Sequence, residues 1–215
     1  MNEQETRRDQ LTRILDVLHI AERLKHEMRH SWLANGRQES VAEHTWRVAL
    51  MVIMVAPYLD QTVDIEKCLK LALLHDLAEA ETGDIPVFEN QQQDRKQAKY
   101  YNEQRAILHI KSMLNDEVGQ QIYELWEEYE RQECYEAKFV RALDKLEVQL
   151  QHNEADLSTW LHLEKLMVFQ SKWMQRFCEF DSGLSLLGEI IKEDAAEKLR
   201  ANGDSIVELQ EEAIL

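Results

Sequence analysis

The stretch LALLHDLAEAETGDIP, residues 71–86, joins a short apolar run to a dense group of ionisable side chains. It places one imidazole and four carboxylates within ten positions, in the order His75, Asp76, Glu79, Glu81 and Asp84. The apolar residues that precede this group favour a helix packed against a core. The polar side chains are therefore expected where a core helix ends, and there several of them can approach one point.

The composition around this stretch favours a helical protein. The chain has 215 residues, of which 44% are hydrophobic, and contains only two prolines and six glycines. Apolar residues recur at steps of three and four almost from end to end, which is the spacing of amphipathic helices. We therefore expect an all-α fold, a compact multi-helix bundle, built as a single domain over residues 1–215.

The charge of the chain limits its partners. A formal net charge of −16 repels the phosphate backbone of nucleic acid, so a nucleic-acid partner is not expected. A small phosphorylated substrate remains possible, provided that its site carries its own positive charge. The N-terminal residues do not resemble a secretory signal, and no apolar run is long enough to span a membrane. Three widely spaced cysteines fit a reducing compartment, and we expect a cytoplasmic protein.

The first predicted helix covers about residues 5–26. Its apolar stripe is expected to face the core, and it consists of Leu11, Ile14, Leu15, Leu18, Ala21 and Leu24. Residues 28–39 follow without a clear periodicity and contain an Asn-Gly pair, so a loop is predicted there.

The next two helices have recognisable ends. Ser40 followed by Glu43 has the spacing of a capping box, which begins a second helix that ends near Pro57. Asp64 is the expected N-cap of a third helix, and Gly83 is the matching signal at its C-terminal end. Further helices are predicted over about residues 94–114, 116–131 and 133–151, and two more in the remaining chain.

Three parts of the chain offer metal-ligand side chains. His75 and Asp76 can lean toward a common point, with Glu79 one helical turn further on. His44 lies in the first turn of the second helix, where the positive end of the helix favours the neutral imidazole that a metal requires. Asp144 borders an apolar stripe. Each residue also has a plain structural interpretation, as a core histidine, a solvated carboxylate or a partner in a salt bridge.

Three segments together resemble a known family: RQESVAEHTWRVALM (37–51), LALLHDLAEAETGDIP (71–86) and RALDKLEVQLQ (141–151). They are similar to the HD-domain metal-dependent phosphohydrolases, and specifically to their 5′-deoxynucleotidase branch. The resemblance covers about residues 24–151. The C-terminal helices, over about residues 155–200, are then expected to serve packing or dimerisation.

The resemblance implies one divalent cation held by four residues: His44, His75, Asp76 and Asp144. Two imidazoles and two carboxylates are acceptable to Mn, Fe, Co, Ni or Zn, so ligand chemistry does not select the metal. Such a cation polarises a phosphoryl group and lowers the pKa of water toward neutrality.

The resemblance also implies roles for residues around the metal. Glu79 corresponds to the family's glutamate beside the attacking water or the substrate, and a general base, a water-positioning group or a substrate contact are all compatible with it. Arg29 matches an arginine directed at the substrate phosphate. Asp84 corresponds to an aspartate that holds the nucleotide, and Trp32 is a candidate substrate contact.

The expected reaction is therefore hydrolysis of the 5′-phosphate of a nucleoside monophosphate, foremost a deoxyribonucleoside monophosphate. The alternatives are another HD phosphoesterase, which would act on a cyclic nucleotide, an alarmone or a nucleoside triphosphate, and a metal-binding adaptor without catalysis. A homodimer is expected, with contacts through the aromatic residues of the C-terminal helices, Trp160, Phe169, Trp173, Phe177 and Phe180.

Overall fold

The computed structural model describes residues 3–85, 93–170 and 173–214. Helices form most of it, which confirms the all-α prediction. In the described residues the α-helices are α1 (Glu3–Ala21), α2 (Val41–Val55), α3 (Ile65–Leu74), α4 (Glu79–Thr82), α5 (Gln93–Leu114), α6 (Glu117–Arg131), α7 (Tyr135–Glu154), α8 (His162–Met167), α9 (Gln175–Cys178), α10 (Ser182–Ala201) and α11 (Ile206–Ile214). A two-stranded antiparallel sheet, β1 (Met28–Trp32) and β2 (Gln38–Ser40), lies between α1 and α2. The single domain over residues 1–215 stays a prediction.

Helix α1 buries only part of the predicted stripe, because Ile14, Ala21 and Leu24 pack toward the core and the other three residues do not. Val17 of α1 packs in a core cluster that includes Ile107 and Ile110 of α5 and Trp126 of α6, and Leu24 of the following 3₁₀ turn belongs to the same cluster. Three predicted core positions are instead more than half exposed: Leu11 (54%), Leu15 (54%) and Leu18 (56%). The stripe prediction was wrong for these residues. The apolar face of α1 is wider than the part of it that packs against α5, and these three residues lie outside that contact.

The predicted loop over residues 28–39 is a β-hairpin. A tight turn closes it, in which Leu33 N donates to Arg37 O at 2.7 Å and Gly36 has φ +83°. Helix α7 supports the hairpin, because Gln151 Nε2 donates to Trp32 O at 2.8 Å. Backbone pairing and this long-range contact hold the hairpin, which explains why its sequence has no strand periodicity.

The beginning of α2 agrees with the prediction. Ser40 Oγ accepts from Glu43 N, and Glu43 Oε2 accepts from Ser40 N at 2.9 Å, so the capping box is confirmed. The α-helix continues to Val55, and a 3₁₀ turn that contains Pro57 follows it.

The predicted third helix is broken at the decisive motif. Asp64 caps α3 and Gly83 ends α4 with φ +76°, but residues 75–78 form turns between the two helices. The Ala72 carbonyl, which would accept from the Asp76 amide in a continuing helix, accepts from the His75 ring. Bonds of the i to i+3 type follow, such as Glu79 N to Asp76 O at 3.0 Å. Pro86, the last residue of the motif, lies outside the described residues.

The C-terminal part contains four α-helices in the described residues, where two were predicted. Its aromatic residues pack inside the chain. Trp160 is buried in a cluster with α10 and α11, and Phe169 packs against the same cluster. Trp173 and Phe177 are partly buried against the main core around α2, α3 and α7. In the described residues no helix is both long and apolar enough to cross a membrane.

Candidate metal centre

Three of the four predicted metal ligands lie around one point, and the fourth, Asp144, lies against one of them, His44. His44 stands in the first turn of α2, His75 caps α3, Asp76 is in the turn that follows, and Asp144 lies in the middle of α7. Ligand atoms of His44, His75 and Asp76 all lie within 4.8 Å of one another. Asp144 Oδ1 lies 3.4 Å from His44 Nε2. All four residues are buried or nearly so.

His75 is oriented by its own helix. Its Nδ1 lies 2.7 Å from the backbone oxygen of Ala72, three residues earlier. A carbonyl oxygen can only accept, so Nδ1 donates and the lone pair of a neutral ring sits on Nε2. Nε2 faces Asp76 Oδ2 at 3.0 Å.

His44 is oriented by a distant side chain. Its Nδ1 lies 2.5 Å from Oε2 of Glu147 on α7, and both side chains are fully buried. Burial and Arg29 lower the pKa of His44, but Glu147 and Asp144 outweigh them and raise it to about 10. The sequence-based expectation of a neutral imidazole is therefore wrong for the protein side chains alone, because buried carboxylates outweigh the positive helix end. A cation that binds at Nε2 must displace a proton.

The residues present fit a divalent cation. Nε2 of His44 and Nε2 of His75 are both buried, and neither has a hydrogen-bond partner among the described residues. Polar atoms left this way in a protein interior are costly unless a ligand satisfies them. With Asp76 and Asp144 they form an N₂O₂ donor set suited to a first-row divalent ion.

The two carboxylates of the centre are held in their charged form. Burial raises the pKa of Asp76, but His75, His44 and Arg29 lower it below its usual range. Asp144 Oδ2 accepts from Tyr129 Oη at 3.0 Å and lies 3.0 Å from Lys145 Nζ. The salt bridge of the plain structural interpretation is thus present, between Asp144 and Lys145. It uses only Oδ2 of Asp144, and Oδ1 faces His44.

Glu79 is buried beside the centre at the beginning of α4. Its Oε1 accepts from Lys99 Nζ on α5 at 3.0 Å, and Lys99 also contacts Glu103. Its Oε2 is buried without a hydrogen-bond partner in the described part of the chain. Burial and the nearby Asp76 raise the pKa of Glu79 well above its ordinary value, although Lys99 opposes them. The surroundings of this carboxyl group therefore favour its protonated form more than those of an ordinary glutamate do.

Arg29 connects the hairpin to the centre. Its Nη1 lies 3.4 Å from Asp76 Oδ2, and its Nε lies 3.5 Å from Glu39 Oε2. Burial raises the pKa of Asp84, and the charge of Arg29 opposes that shift. Asp84 is fixed through its backbone, because its amide donates to Glu27 Oε1 at 3.0 Å.

Two clefts open next to these residues and share a wall at Lys145 and Trp173. One has a volume of about 570 Å³, and its lining includes Arg29, Asp84, Lys145, His152, Glu164 and Trp173. The other, of about 1580 Å³, has a lining that includes His75, Asp76, Lys99, Arg141, Lys145 and Trp173. Trp32 lines neither cleft, so its predicted substrate contact gains no support from its position. Several basic side chains line these two clefts, although the chain as a whole is acidic. A site for a phosphorylated substrate needs such local positive charge.

Several residues of the site were missed by sequence reasoning. Glu147 follows Asp144 by three positions, a helical spacing that places both on one side of α7 and that could have revealed it. Glu39 directly precedes the capping serine within the motif. Lys99 and Tyr129 carry no local signal, because each reaches the site through packing of α5 or α6 against other helices.

Comparisons with known proteins show the family of this chain. Residues 21–179 match the HD domain family. The chain belongs to this family. The family match contains all of the residues assigned above to the centre, and α10 and α11 lie beyond it.

Related proteins of this HD family share much of the chain. A zebrafish (Danio rerio) protein described as 5'-deoxynucleotidase HDDC2 is 38% identical over 143 residues, which are 66% of this chain and 68% of that protein. The fission yeast Schizosaccharomyces pombe 5'-deoxynucleotidase hdd1 is 34% identical over 168 residues, 72% of this chain and 82% of that protein.

Among solved structures, a predicted metal-dependent phosphohydrolase from Magnetospirillum magnetotacticum superposes with a TM-score of 0.72 at 24% identity. The superposition covers 88% of this chain and 97% of the other. A conserved hypothetical protein from Pyrococcus furiosus gives a TM-score of 0.57 at 31% identity, over 84% of this chain and 98% of the other. These likenesses establish the HD-domain fold.

Proposed function

We propose that this HD-domain protein is a metal-dependent 5′-deoxynucleotidase, which hydrolyses a deoxyribonucleoside monophosphate to a nucleoside and phosphate. The observation that carries the proposal is the pair of buried Nε2 atoms, on His44 and His75, that face Asp76 and Asp144 beside an arginine. Relatives described as 5'-deoxynucleotidases support the choice of substrate class.

The metal part of the proposal assigns His44, His75, Asp76 and Asp144 to one divalent transition metal ion. When bound, the ion supplies Lewis acidity and a lowered pKa for water at the phosphorus. The two histidines are already oriented for this role. Nδ1 of each ring is at hydrogen-bond distance from an oxygen acceptor, which leaves Nε2 to face the metal position.

Arg29 is assigned to the phosphate. Its guanidinium lies 3.4 Å from Asp76, so a phosphate oxygen that contacts Arg29 is also close to the metal ligands. A guanidinium presents a planar fork of donors that matches two phosphate oxygens. Asp84 lines the same cleft and is assigned to the nucleoside, as is Trp32 by family resemblance alone.

Glu79 is assigned to proton transfer at Oε2. Lys99 occupies Oε1, so Oε2 is the oxygen left to take or give a proton. Its raised pKa places this carboxyl group closer to neutral pH than an ordinary glutamate, which suits general acid–base catalysis. A role in positioning water or substrate would use the same oxygen.

A substrate panel tests the proposal. Metal-stripped protein is incubated with each deoxyribonucleoside and ribonucleoside monophosphate, with Mn, Co, Ni, Zn or Mg added in turn, and released phosphate is measured. We expect turnover of monophosphates only after a transition metal is restored, with deoxyribonucleotides preferred. Turnover of a cyclic nucleotide, an alarmone or a nucleoside triphosphate instead would favour another phosphoesterase activity. Metal binding without turnover of any compound would favour a non-catalytic adaptor.

A cytoplasmic homodimer completes the proposal. The aromatic residues that suggested a dimer contact pack within the chain, but one face of α2 is apolar and exposed at Trp46 (65%), Leu50 (38%), Ile53 (55%) and Met54 (63%). In a symmetric dimer, this apolar face of one copy would pack against the same face of the other. The net charge of −16 makes two copies repel each other where charged surfaces would meet. Light scattering tests this: Trp46→Glu should be monomeric, while the exposed Leu186→Glu on α10 should leave the dimer intact.

A further inference from the structure

A buried carboxylate that belongs to no predicted ligand set lies directly behind the metal centre. Glu147 is 0% exposed and contacts His44 Nδ1 through Oε2 at 2.5 Å. It stands on α7 three residues after Asp144, so one helix carries both a proposed ligand and the group that holds another ligand. Residues of α7 therefore lie next to both ring nitrogens of His44, with Glu147 at Nδ1 and Asp144 Oδ1 at 3.4 Å from Nε2.

The position of Glu147 is costly for the fold. Its Oε1 is buried without a hydrogen-bond partner in the described residues, and the guanidinium nitrogen Arg47 Nε lies 3.9 Å from this oxygen. Arg47 is engaged elsewhere, because its guanidinium forms a short ion pair with Glu154 at 2.6 Å. Burying a carboxylate has a desolvation cost that only close partners offset, and removing one member of a buried pair leaves the other uncompensated. The contact with His44 is therefore the interaction that the position of Glu147 provides.

A second cation between Glu39, His44 and Glu147 is one possible role, since their ligand atoms lie close together. Two observations speak against it. His44 Nδ1 is at hydrogen-bond distance from a carboxylate that can only accept, so this nitrogen carries a proton. Two guanidinium groups also lie nearby, Arg29 at 3.5 Å from Glu39 and Arg47 at 3.9 Å from Glu147, and their positive charge disfavours a second cation there.

We propose that Glu147 is a positioning residue, which holds the Nδ1 proton of His44 and thereby presents Nε2 to the metal ion. The inference rests on the proposed metal centre. A carboxylate that accepts from the outer nitrogen of a ligating histidine fixes the tautomer and the ring plane and makes the ligand more basic. At position 147, Gln can still accept a hydrogen bond from Nδ1 through its amide oxygen, but it carries no charge. Leu offers neither an acceptor nor a charge.

The test uses the metal-stripped full chain and zinc, with affinity measured by calorimetry. Glu147→Leu should bind zinc about 10- to 100-fold more weakly than the parent, and Glu147→Gln should fall between the two. Glu127 provides the matched control, because it is a buried glutamate that accepts from Tyr100 Oη at 3.0 Å away from the centre. Glu127→Leu and Glu127→Gln should bind zinc like the parent chain.

A second readout follows the His44 ring by nitrogen–proton correlation spectroscopy of the zinc complexes. In the parent chain and in Glu147→Gln, Nδ1 should carry the proton and Nε2 should show the shift of a metal-bound nitrogen. In Glu147→Leu the Nδ1 proton should exchange faster with water. A purely structural role of Glu147 would alter unfolding without changing these ring signals.

The outcomes separate the two hypotheses. If the parent binds zinc and Glu147→Leu binds it equally tightly with unchanged ring signals, the positioning role is wrong and the proposed function is untouched. If the parent binds no transition metal, the proposed centre itself fails. If Glu147→Leu does not fold, Glu147→Gln decides, because equal zinc affinity in that variant contradicts the contribution of the charge.

Discussion

The two histidines of the centre reach the same geometry by different means. His75 is held by the carbonyl of Ala72, three residues earlier in its own helix. His44 is held by Glu147, which is 103 positions away in the sequence. The first contact forms wherever α3 forms and ends at this residue. The second requires α2 and α7 to pack in one register, so the orientation of the His75 ring depends on local structure and that of the His44 ring on the tertiary fold.

This difference has a chemical consequence. A backbone carbonyl carries no net charge, whereas the buried carboxylate of Glu147 favours protonation and helps to raise the pKa of His44 to about 10. The His44 side of the centre is therefore the side at which metal ions and protons compete. Variants that affect one histidine and not the other test this comparison.

The largest effect is expected where the two histidines share a neighbour. Asp76 Oδ2 lies 3.0 Å from His75 Nε2 and 3.8 Å from His44 Nε2, so its removal disables both sides at once. Asp76→Ala should reduce phosphate release on the order of 10³-fold, about 4 kcal/mol of transition-state stabilisation, with helicity unchanged by circular dichroism. Glu81→Ala, in the same motif but paired with the exposed His109, should stay within about twofold of the parent. Comparable activity in both variants would contradict the assignment.

A third buried histidine shows what happens without a carboxylate at hydrogen-bond distance. Burial lowers the pKa of His152 to about 4, although a bond to the His30 carbonyl opposes it. Between pH 6.5 and 4 the unfolded chain binds the proton and the folded chain does not, so stability falls as the pH falls, by about 3 kcal/mol in total. His152→Gln should flatten this part of the curve in urea unfolding. An unchanged slope would show that His152 is charged in the fold.

The hydroxyl group of Tyr129 supports the His44 side in the same long-range manner as Glu147. It donates to Asp144 Oδ2 at 3.0 Å, and Asp144 Oδ1 faces His44. Tyr129→Phe should cost about 2 kcal/mol of unfolding free energy, because a buried charged acceptor loses a donor, and should weaken zinc binding measurably. Tyr135→Phe removes a similar bond to Asp181 away from the centre and should cost stability alone. Equal zinc affinity in the two variants would argue against a role for Tyr129.

The smallest effect is expected at the helix caps. Ser40 caps α2 four residues before His44, and Asp64 caps α3 eleven residues before His75. Ser40→Ala and Asp64→Ala should each cost about 1 kcal/mol in thermal unfolding. Ser40→Ala alone should also weaken zinc binding, because the first turn of α2 carries His44. Loss of zinc affinity in Asp64→Ala would mean that α3 as a whole, and not its last turn, positions His75.

Local signals in the sequence predicted the helix ends correctly. Ser40 with Glu43, Asp64 and Gly83 each act on backbone groups within four residues, so their effect does not depend on the rest of the fold. Periodicity was less reliable. It marked Leu11 as core because an apolar face can be wider than the surface that covers it, and only the position of α5 decides which part is buried.

The sequence by itself determined the helical class, the capped ends of α2 and α3 and the set of ligand-type residues, because these follow from short-range bonding and from side-chain chemistry. Only the tertiary structure decided that α7 brings Asp144 and Glu147 to His44 and that α5 brings Lys99 to Glu79. Contacts of this kind join residues 20 to 103 positions apart, and they form only when whole helices pack in register.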